Sequence, residues 1–230
     1  MDKKDAAGAV ASFHQLHRKL SRHGKDWIFR GHADVSWELI PKAGRWPYAG
    51  HEEALFELWK LRAVEHLATH ITSDWDWLAV AQHHGLATRL LDWTTNPLNA
   101  AYFAVRESRD GAAIIHAAKF EERYNRSAET LFEEPAKCDS VAIFRPRGVV
   151  PRIVRQGGLF TVHGPPERAL ESLTRERIVT LKQIVIAESY RPRLLAELAR
   201  YGINSASLFP DLDGLSSYLN WTVESGELLD

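Results

Sequence analysis

Arg30 stands directly before Gly31, a pairing in which a guanidinium can hold a carboxylate or phosphate in a two-pronged grip while the glycine admits a second backbone or a ligand. Read as structure alone, the same arginine is one half of a buried ion pair, with Asp92 as the candidate partner. Further along, Gln82-His83-His84-Gly85 sets an amide and two imidazoles at what reads as the last turn of a helix. An imidazole there can line a pocket, although orphan carbonyls and the helix dipole also favour histidine at that place. Thr94-Thr95-Asn96-Pro97 then puts hydroxyls and backbone N–H groups at a helix start, where anions are received and where a plain N-cap also belongs. Arg30, Trp93 and that cap together would hold a phosphate and an aromatic ring, which points to a nucleotide. His66 and His70 lie four apart and could join His83, His84 and Asp92 around a metal, but no thiolate or second paired histidine accompanies them, and no metal is expected. Phosphate loops, dinucleotide glycine fingerprints and nucleophile elbows are absent, and the single Cys138 has no nucleophile motif around it.

The elements that must position these residues follow from periodicity. Val10, Phe13, Leu16 and Leu20 mark an amphipathic helix ahead of Gly24, and Trp27 to Gly31 reads as a short strand with Ile28 and Arg30 on one face. Residues 38–50, with Pro41, Gly44, Pro47 and Gly50, make an ordered loop. Leu55, Leu58, Trp59, Ala63 and Leu67 form the buried stripe of a long helix ending near His70. Ser73 or Asp74 caps the next helix, which stops at Gly85. From Thr88 to Thr94 a strand sets Thr88, Leu90, Asp92 and Thr94 against Arg89, Leu91 and Trp93, so that Asp92 is expected to be partly buried and paired with Arg30 or Arg89. Asn96-Pro97 opens a helix carrying Leu98, Ala101, Tyr102 and Val105. Ala112–Ala118 and Val141–Phe144 read as further strands, separated by a charged stretch containing Arg126, and Ile178–Ile186 contains another apolar run. Helices follow from Pro192 and around Leu212, Leu215 and Leu219. Strands and helices alternate irregularly, so the fold class is α+β: a single mixed domain over residues 1–230, with a small central sheet flanked by amphipathic helices. Residues 1–24 pack on it as an N-terminal helix, and 119–138 read as a surface insertion.

Composition sets the outer limits. The chain has 230 residues, 29 basic and 30 acidic side chains and a net charge of −1, so no global field draws it to nucleic acid or to an anionic membrane. One cysteine forms no internal disulfide framework, and neither an apolar run near 18 residues nor a secretory signal is present, which places the chain in the cytoplasm. Seven of its eight tryptophans fall within the first 93 residues, read as core rings apart from Trp93.

Phe29-Arg30-Gly31, the run from Ala81 to Thr94, and Ser207-Leu208-Phe209-Pro210-Asp211-Leu212-Asp213-Gly214 resemble the signature blocks of FRG-domain proteins, with Arg152-Ile153 and Gln156-Gly157-Gly158-Leu159-Phe160 between the last two. A looser resemblance is to ADP-ribosyltransferases of the arginine-serine-glutamate type, in which one strand carries Arg, a second carries Ser or Thr before a helix, and a later strand carries a catalytic Glu. Arg30 and Thr94 or Thr95 match the first two in type and order. The third motif departs: no ExE or QxE stands on a clear strand, and Gln156, Glu188 or Asp211 would have to substitute. This resemblance implies a split central sheet and an NAD-consuming enzyme without a metal. Arg30, Thr94, Gln156 and Glu188 would be its catalytic candidates, and Gly31, Gln82, His83, Arg89, Asp92, Trp93, Thr95 and Asn96 would join Arg30 around the nucleotide. The family's setting implies a toxin or antiphage effector acting on a protein or nucleic acid. The alternative is a non-catalytic nucleotide-binding or interaction module. A carboxylate converging on the same cleft as Arg30 and Thr94 separates the two.

Overall fold

The computed structural model describes residues 8–67, 71–124, 127–146 and 155–226, so His70, Arg126, Arg152 and Ile153 lie outside the described residues. The elements, in chain order, are α1 (Phe13–Leu20), β1 (Ile28–His32), α2 (Glu52–Ala63), α3 (Asp74–His83), β2 (Leu90–Thr94), α4 (Pro97–Val105), β3 (Ala113–Phe120), α5 (Ala128–Leu131) and β4 (Val141–Phe144). After them come β5 (Gly158–His163), β6 (Val179–Ile186), α6 (Arg191–Arg200), α7 (Ser205–Leu208) and α8 (Leu212–Glu224). The strands form one antiparallel sheet in the order β4-β5-β2-β1-β3-β6, and the class is α+β as expected. No described helix is long and apolar enough to cross a membrane.

Local chemistry explains most boundaries. Ser12 caps α1, Ser73 caps α3 by accepting from the Trp75 N–H, and Asn96 caps α4 with Pro97 in its first turn. Three expectations shift. Helix α2 ends at Ala63 rather than near His70, and Leu58 faces solvent while Phe56 and Trp59 pack inward. On α8, Leu212, Leu215 and Leu219 are all exposed, because that helix lies on the rim and rests mainly on α7. Strand β5 is a further strand, between two segments the periodicity marks. Segment 119–138 extends β3 to Phe120 and then buries Ala128 and Cys138 against α3 and Phe144.

The feature that governs the site is the join between β1 and β2. Strand β1 pairs with β3 from Ile28↔Ala118 to His32↔Ile114, and β2 pairs with β5 from Leu90↔Val162 to Thr94↔Gly158. Between β1 and β2 only Phe29↔Thr94 pairs, and beyond it the strands part. The core divides at the same line. On one face, Phe29, Ile115 and Ile184 pack with α4, α6 and α1, whereas Leu90, Phe160 and Phe144 form a separate cluster with α3. The opposite face stays continuous, with Ile28, Leu91, Trp93 and Ala118 packed beneath Leu39, Leu170 and Leu173. The sheet is therefore two three-stranded halves, hinged by one backbone pair and one apolar layer.

Gly31 sets how closely α4 lies on β1. A Cβ there would stand 2.0 Å from the Ala100 carbonyl oxygen and 2.5 Å from the Ala104 nitrogen, both rigid backbone. Gly31→Ala is expected to push α4 off the sheet and to cost about 3 kcal/mol, at the upper end of what overpacking exacts. Thermal melting checks this, and an unchanged melting temperature would mean that the contact is looser than described.

Candidate functional site

Where β1 and β2 part, a cavity of about 390 Å3 opens between the halves. Phe29 and Thr94 are registered opposite each other and share a face, so Arg30, one residue on, belongs to the other face. Arg30 and Thr94 nevertheless line the same cavity, because the gap between the strands passes through the sheet.

Arg30 closes part of that gap. Its Nη1 donates to the Asp92 carbonyl oxygen at 2.7 Å, a group that continued β1–β2 pairing would have left for the ladder, and lies 3.5 Å from Asp92 Oδ2. Its Nε donates to His32 Nε2 at 2.9 Å, so His32 carries its proton on Nδ1. His116 is registered beside Arg30 on β3, and its ring centre lies 5.0 Å from that of His32. Across the parted strands a second chain fixes Trp93: its indole N–H donates to Thr161 Oγ1 at 3.0 Å, and that hydroxyl lies 2.9 Å from His163 Nε2. Trp93 is core, with its only polar atom already engaged.

Burial keeps these imidazoles neutral. It pushes His32 down to about 2, helped by the Arg30 charge, and pushes His116 and His163 down to about 4, again with Arg30 opposing a second positive charge. Burial also lowers the Arg30 guanidinium from its ordinary value, while Asp92 acts to raise it.

On the α3 side, the wholly buried Thr88 donates its hydroxyl to Gln82 Oε1 at 2.5 Å, and Gln82 Nε2 donates to Asp92 Oδ2 at 2.9 Å. The Asp92 side chain is 58% exposed, in contrast to the expectation of burial. The strand assignment holds, yet the parting of β1 from β2 leaves this carboxylate over open cleft instead of a neighbouring strand.

The start of α4 also differs from expectation. Thr95 N–H donates to the Gly157 carbonyl, Asn96 N–H to Thr94 Oγ1, and Leu98 N–H to Asn96 Oδ1, while Pro97 has none to give. Thr94 spends its own hydroxyl hydrogen on the Gln156 carbonyl at 2.6 Å. Gly157 makes this closure possible, because its φ of 58° turns the chain back over Thr94 and Thr95. The helix start is consumed by the fold and holds no open anion site.

Of the residues singled out in the sequence, the cavity gathers Arg30, Gly31, Gln82, His83, Asp92, Trp93, Thr94 and Gln156. Thr95 and Asn96 sit behind it as capping groups. Arg89 points elsewhere: its Nε donates to Glu52 Oε2 at 2.8 Å and its Nη1 to the Pro135 carbonyl, with both charged side chains largely buried. Glu188 is exposed at the end of β6, beyond β3 from the cleft, and Asp211 caps α8. His66 is exposed on a 3-10 turn, and among the described residues no group of three potential ligands gathers around a metal position.

The cleft also contains residues that the sequence reading passed over. Arg45, anchored on the Ile40 carbonyl, and Arg106, stacked over Phe103 and Phe209, bring two more guanidiniums to it, and Glu107 brings a second carboxylate. Trp37, read from the sequence as a core ring, is instead 39% exposed at its wall, with Arg109 over its ring. His32 had a signal: it lies two residues from Arg30 on one strand, so period-2 parity puts both on one face. The others come from loops and a helix end, where periodicity marks nothing.

Two outcomes are expected. Because His116 and His163 titrate near 4 when folded but near 6.5 when unfolded, their contribution is fully present above pH 6.5 and declines as pH falls towards 4. Each should steepen the loss by up to about 1.4 kcal/mol per pH unit. Denaturant unfolding at pH 7.5 and pH 5 tests this, and His163→Gln should flatten the slope. Glu52→Gln should cost about 3–5 kcal/mol by stranding the Arg89 charge, read as a lowered melting temperature.

Residues 25–113 match the family model of the FRG domain, a span that runs from the approach to β1 to the first residue of β3 and so includes both walls of the cleft. Neither a curated protein nor a solved structure matches the chain.

Proposed function

We propose, from the premise that the chain carries an FRG domain over residues 25–113, that the cleft binds NAD and that the protein is an ADP-ribosyltransferase-like enzyme. The observation that carries this reading is the convergence of Arg30, Arg45 and Arg106 on one cavity that also has the rings of Trp37 and Phe103 in its wall. A dinucleotide offers what such a cavity recognises, a doubly charged pyrophosphate between flat rings. Arg30 is the principal grip. Its back is held by neutral His32 and its flank by the Asp92 carbonyl, which leaves Nη2 for a phosphate or ribose oxygen. Trp37 and Phe103 offer ring faces, and Gln82 and His83 line the α3 wall. Two carboxylates, Asp92 and Glu107, share this cavity with Arg30 and Thr94, which favours an enzyme over a passive module.

One observation favours the second reading, a nucleotide-binding module without turnover. Gln156, the best substitute for the missing third motif, spends its amide Nε2 on the Leu208 carbonyl at 3.1 Å and its backbone carbonyl on Thr94 and Asn99. These three hydrogen bonds tie it into the fold. The setting of the family supports a toxin or antiphage effector with a macromolecular acceptor, protein or nucleic acid, in the cytoplasm.

Calorimetric titration with NAD, alongside release of nicotinamide from labelled NAD in cell extract, separates the readings. Binding with release supports the enzyme, and binding without release supports the module. Arg30→Ala should weaken NAD binding at least about ten-fold, equivalent to about 1.4 kcal/mol. Wild-type protein that binds no NAD would remove both.

A further inference from the structure

We infer that Asp92 is the carboxylate that carries the chemistry of the cleft, and that Gln82 and Thr88 are positioning residues that hold it; this rests on the NAD-consuming reading above. A working carboxylate must be open to the reacting atoms yet fixed in direction, and Asp92 meets both conditions. Its side chain is more exposed than buried and lines the cavity beside Arg30. Its Oδ2 accepts from Gln82 Nε2 at 2.9 Å, and the amide of Gln82 is held in this orientation because turned over it would aim its oxygen at the carboxylate, while its Oε1 accepts from the hydroxyl of Thr88, which is 0% exposed. Thr88 is itself fixed by the Leu90 N–H, which donates to its Oγ1 at 3.2 Å. A relay that starts in the core and ends on one oxygen of an open carboxylate leaves the other oxygen, Oδ1, directed by the relay and without a hydrogen-bond partner among the described residues. Gln82 Oε1 also satisfies the buried Thr88 hydroxyl, but the bond at the Asp92 end is not needed for stability, since an exposed carboxylate is content in water. Among the described residues, the carboxylate of the competing acid, Glu107, meets only Arg106, at 3.8 Å.

In the reaction, the bond between ribosyl C1′ and the nicotinamide nitrogen breaks, and nicotinamide leaves with the bonding pair. The Asp92 carboxylate, held beside Arg30, stabilises the oxocarbenium cation that remains. An acceptor oxygen or nitrogen, or water, then gives a lone pair to C1′, and its proton passes to Asp92 Oδ1 and on to solvent. The carboxylate thereby comes from the second strand, ahead of the α4 helix, and not from a later strand.

The test measures NAD affinity, nicotinamide release and melting temperature for wild type, Asp92→Asn, Gln82→Met, Thr88→Val and Thr88→Ser. Asp92→Asn should lower release at least about a hundred-fold while NAD affinity changes less than about three-fold. Gln82→Met should lower kcat, Thr88→Val, at a residue outside the cavity wall, should lower kcat with KM nearly unchanged, and Thr88→Ser, which keeps the hydroxyl, should restore the rate. If wild type turns NAD over and Asp92→Asn keeps its rate, or if Glu107→Gln costs more, the assignment of Asp92 is overturned while the NAD reading stands. If wild type binds NAD and releases no nicotinamide, the enzyme reading fails and the assignment falls with it. If Thr88→Ser loses as much as Thr88→Val at equal melting temperature, the relay is overturned alone.

Discussion

Everything at the cleft depends on one backbone pair. Had β1 and β2 continued in register beyond Phe29↔Thr94, Gly31 would have faced Asp92 and the sheet would have been closed. Parting the strands leaves ladder groups without ladder partners, and a buried carbonyl in that state is costly. Arg30 supplies the donor to the Asp92 carbonyl from the opposite face of the sheet, and thereby keeps the gap both open and satisfied. The apolar layer of Ile28, Leu91 and Trp93 on the other face keeps the halves together without filling the space between them. A cation placed in this way is structural and accessible at once, which removes the opposition between an arginine that ties and an arginine that binds.

On its Nε side, a guanidinium so placed needs a partner that neither neutralises it nor adds charge there. A carboxylate in the position of His32 would spend the charge of Arg30 on a closed pair. A protonated imidazole would repel it. Neutral His32 accepts from Nε, orients the fork and leaves the net charge at the cleft intact. The low values of His32, His116 and His163 follow from the burial of their rings, so these three imidazoles add no charge beside the arginine near neutral pH.

Much of this architecture was legible in the sequence because it is local. The cap at Asn96-Pro97, the stop at Gly85 and the strand parity of residues 88–94 each depend on neighbours a few positions away, and each was readable. What was not legible was long-range. Nothing near Arg89 marks it as the partner of Glu52, 37 positions earlier, so its charge read as available to a ligand. The alternation at Asp92 predicted its face correctly, but its exposure depends on whether β1 continues alongside, which strand parity does not encode. Arg45, Arg106 and Trp37 reach the cleft from a loop, a helix end and a turn, and only the folded chain brings them together.

The free N–H groups read at the start of α4 failed for a related reason. That of Thr95 looked open because its partner, the Gly157 carbonyl, comes from a chain turn 62 positions away, whereas those of Asn96 and Leu98 are taken by Thr94 Oγ1 and Asn96 Oδ1 two residues before them. That turn begins at Gln156, which accepts from Thr94 and Asn99 and donates to Leu208 in α7. One residue thus connects β2, α4 and the segment Ser207–Gly214, which resembles a signature block yet lies outside the matched span. The connection gives that segment a physical task. Gly214 packs with no room for a side chain, 2.1 Å from the Phe209 carbonyl by its would-be Cβ, and so fixes α8 against α7. The Leu208 carbonyl then holds Gln156, and Gln156 holds the end of β2. A segment distant in sequence therefore acts on the cleft by keeping Thr94 in register with Phe29, the one pair from which the two halves part.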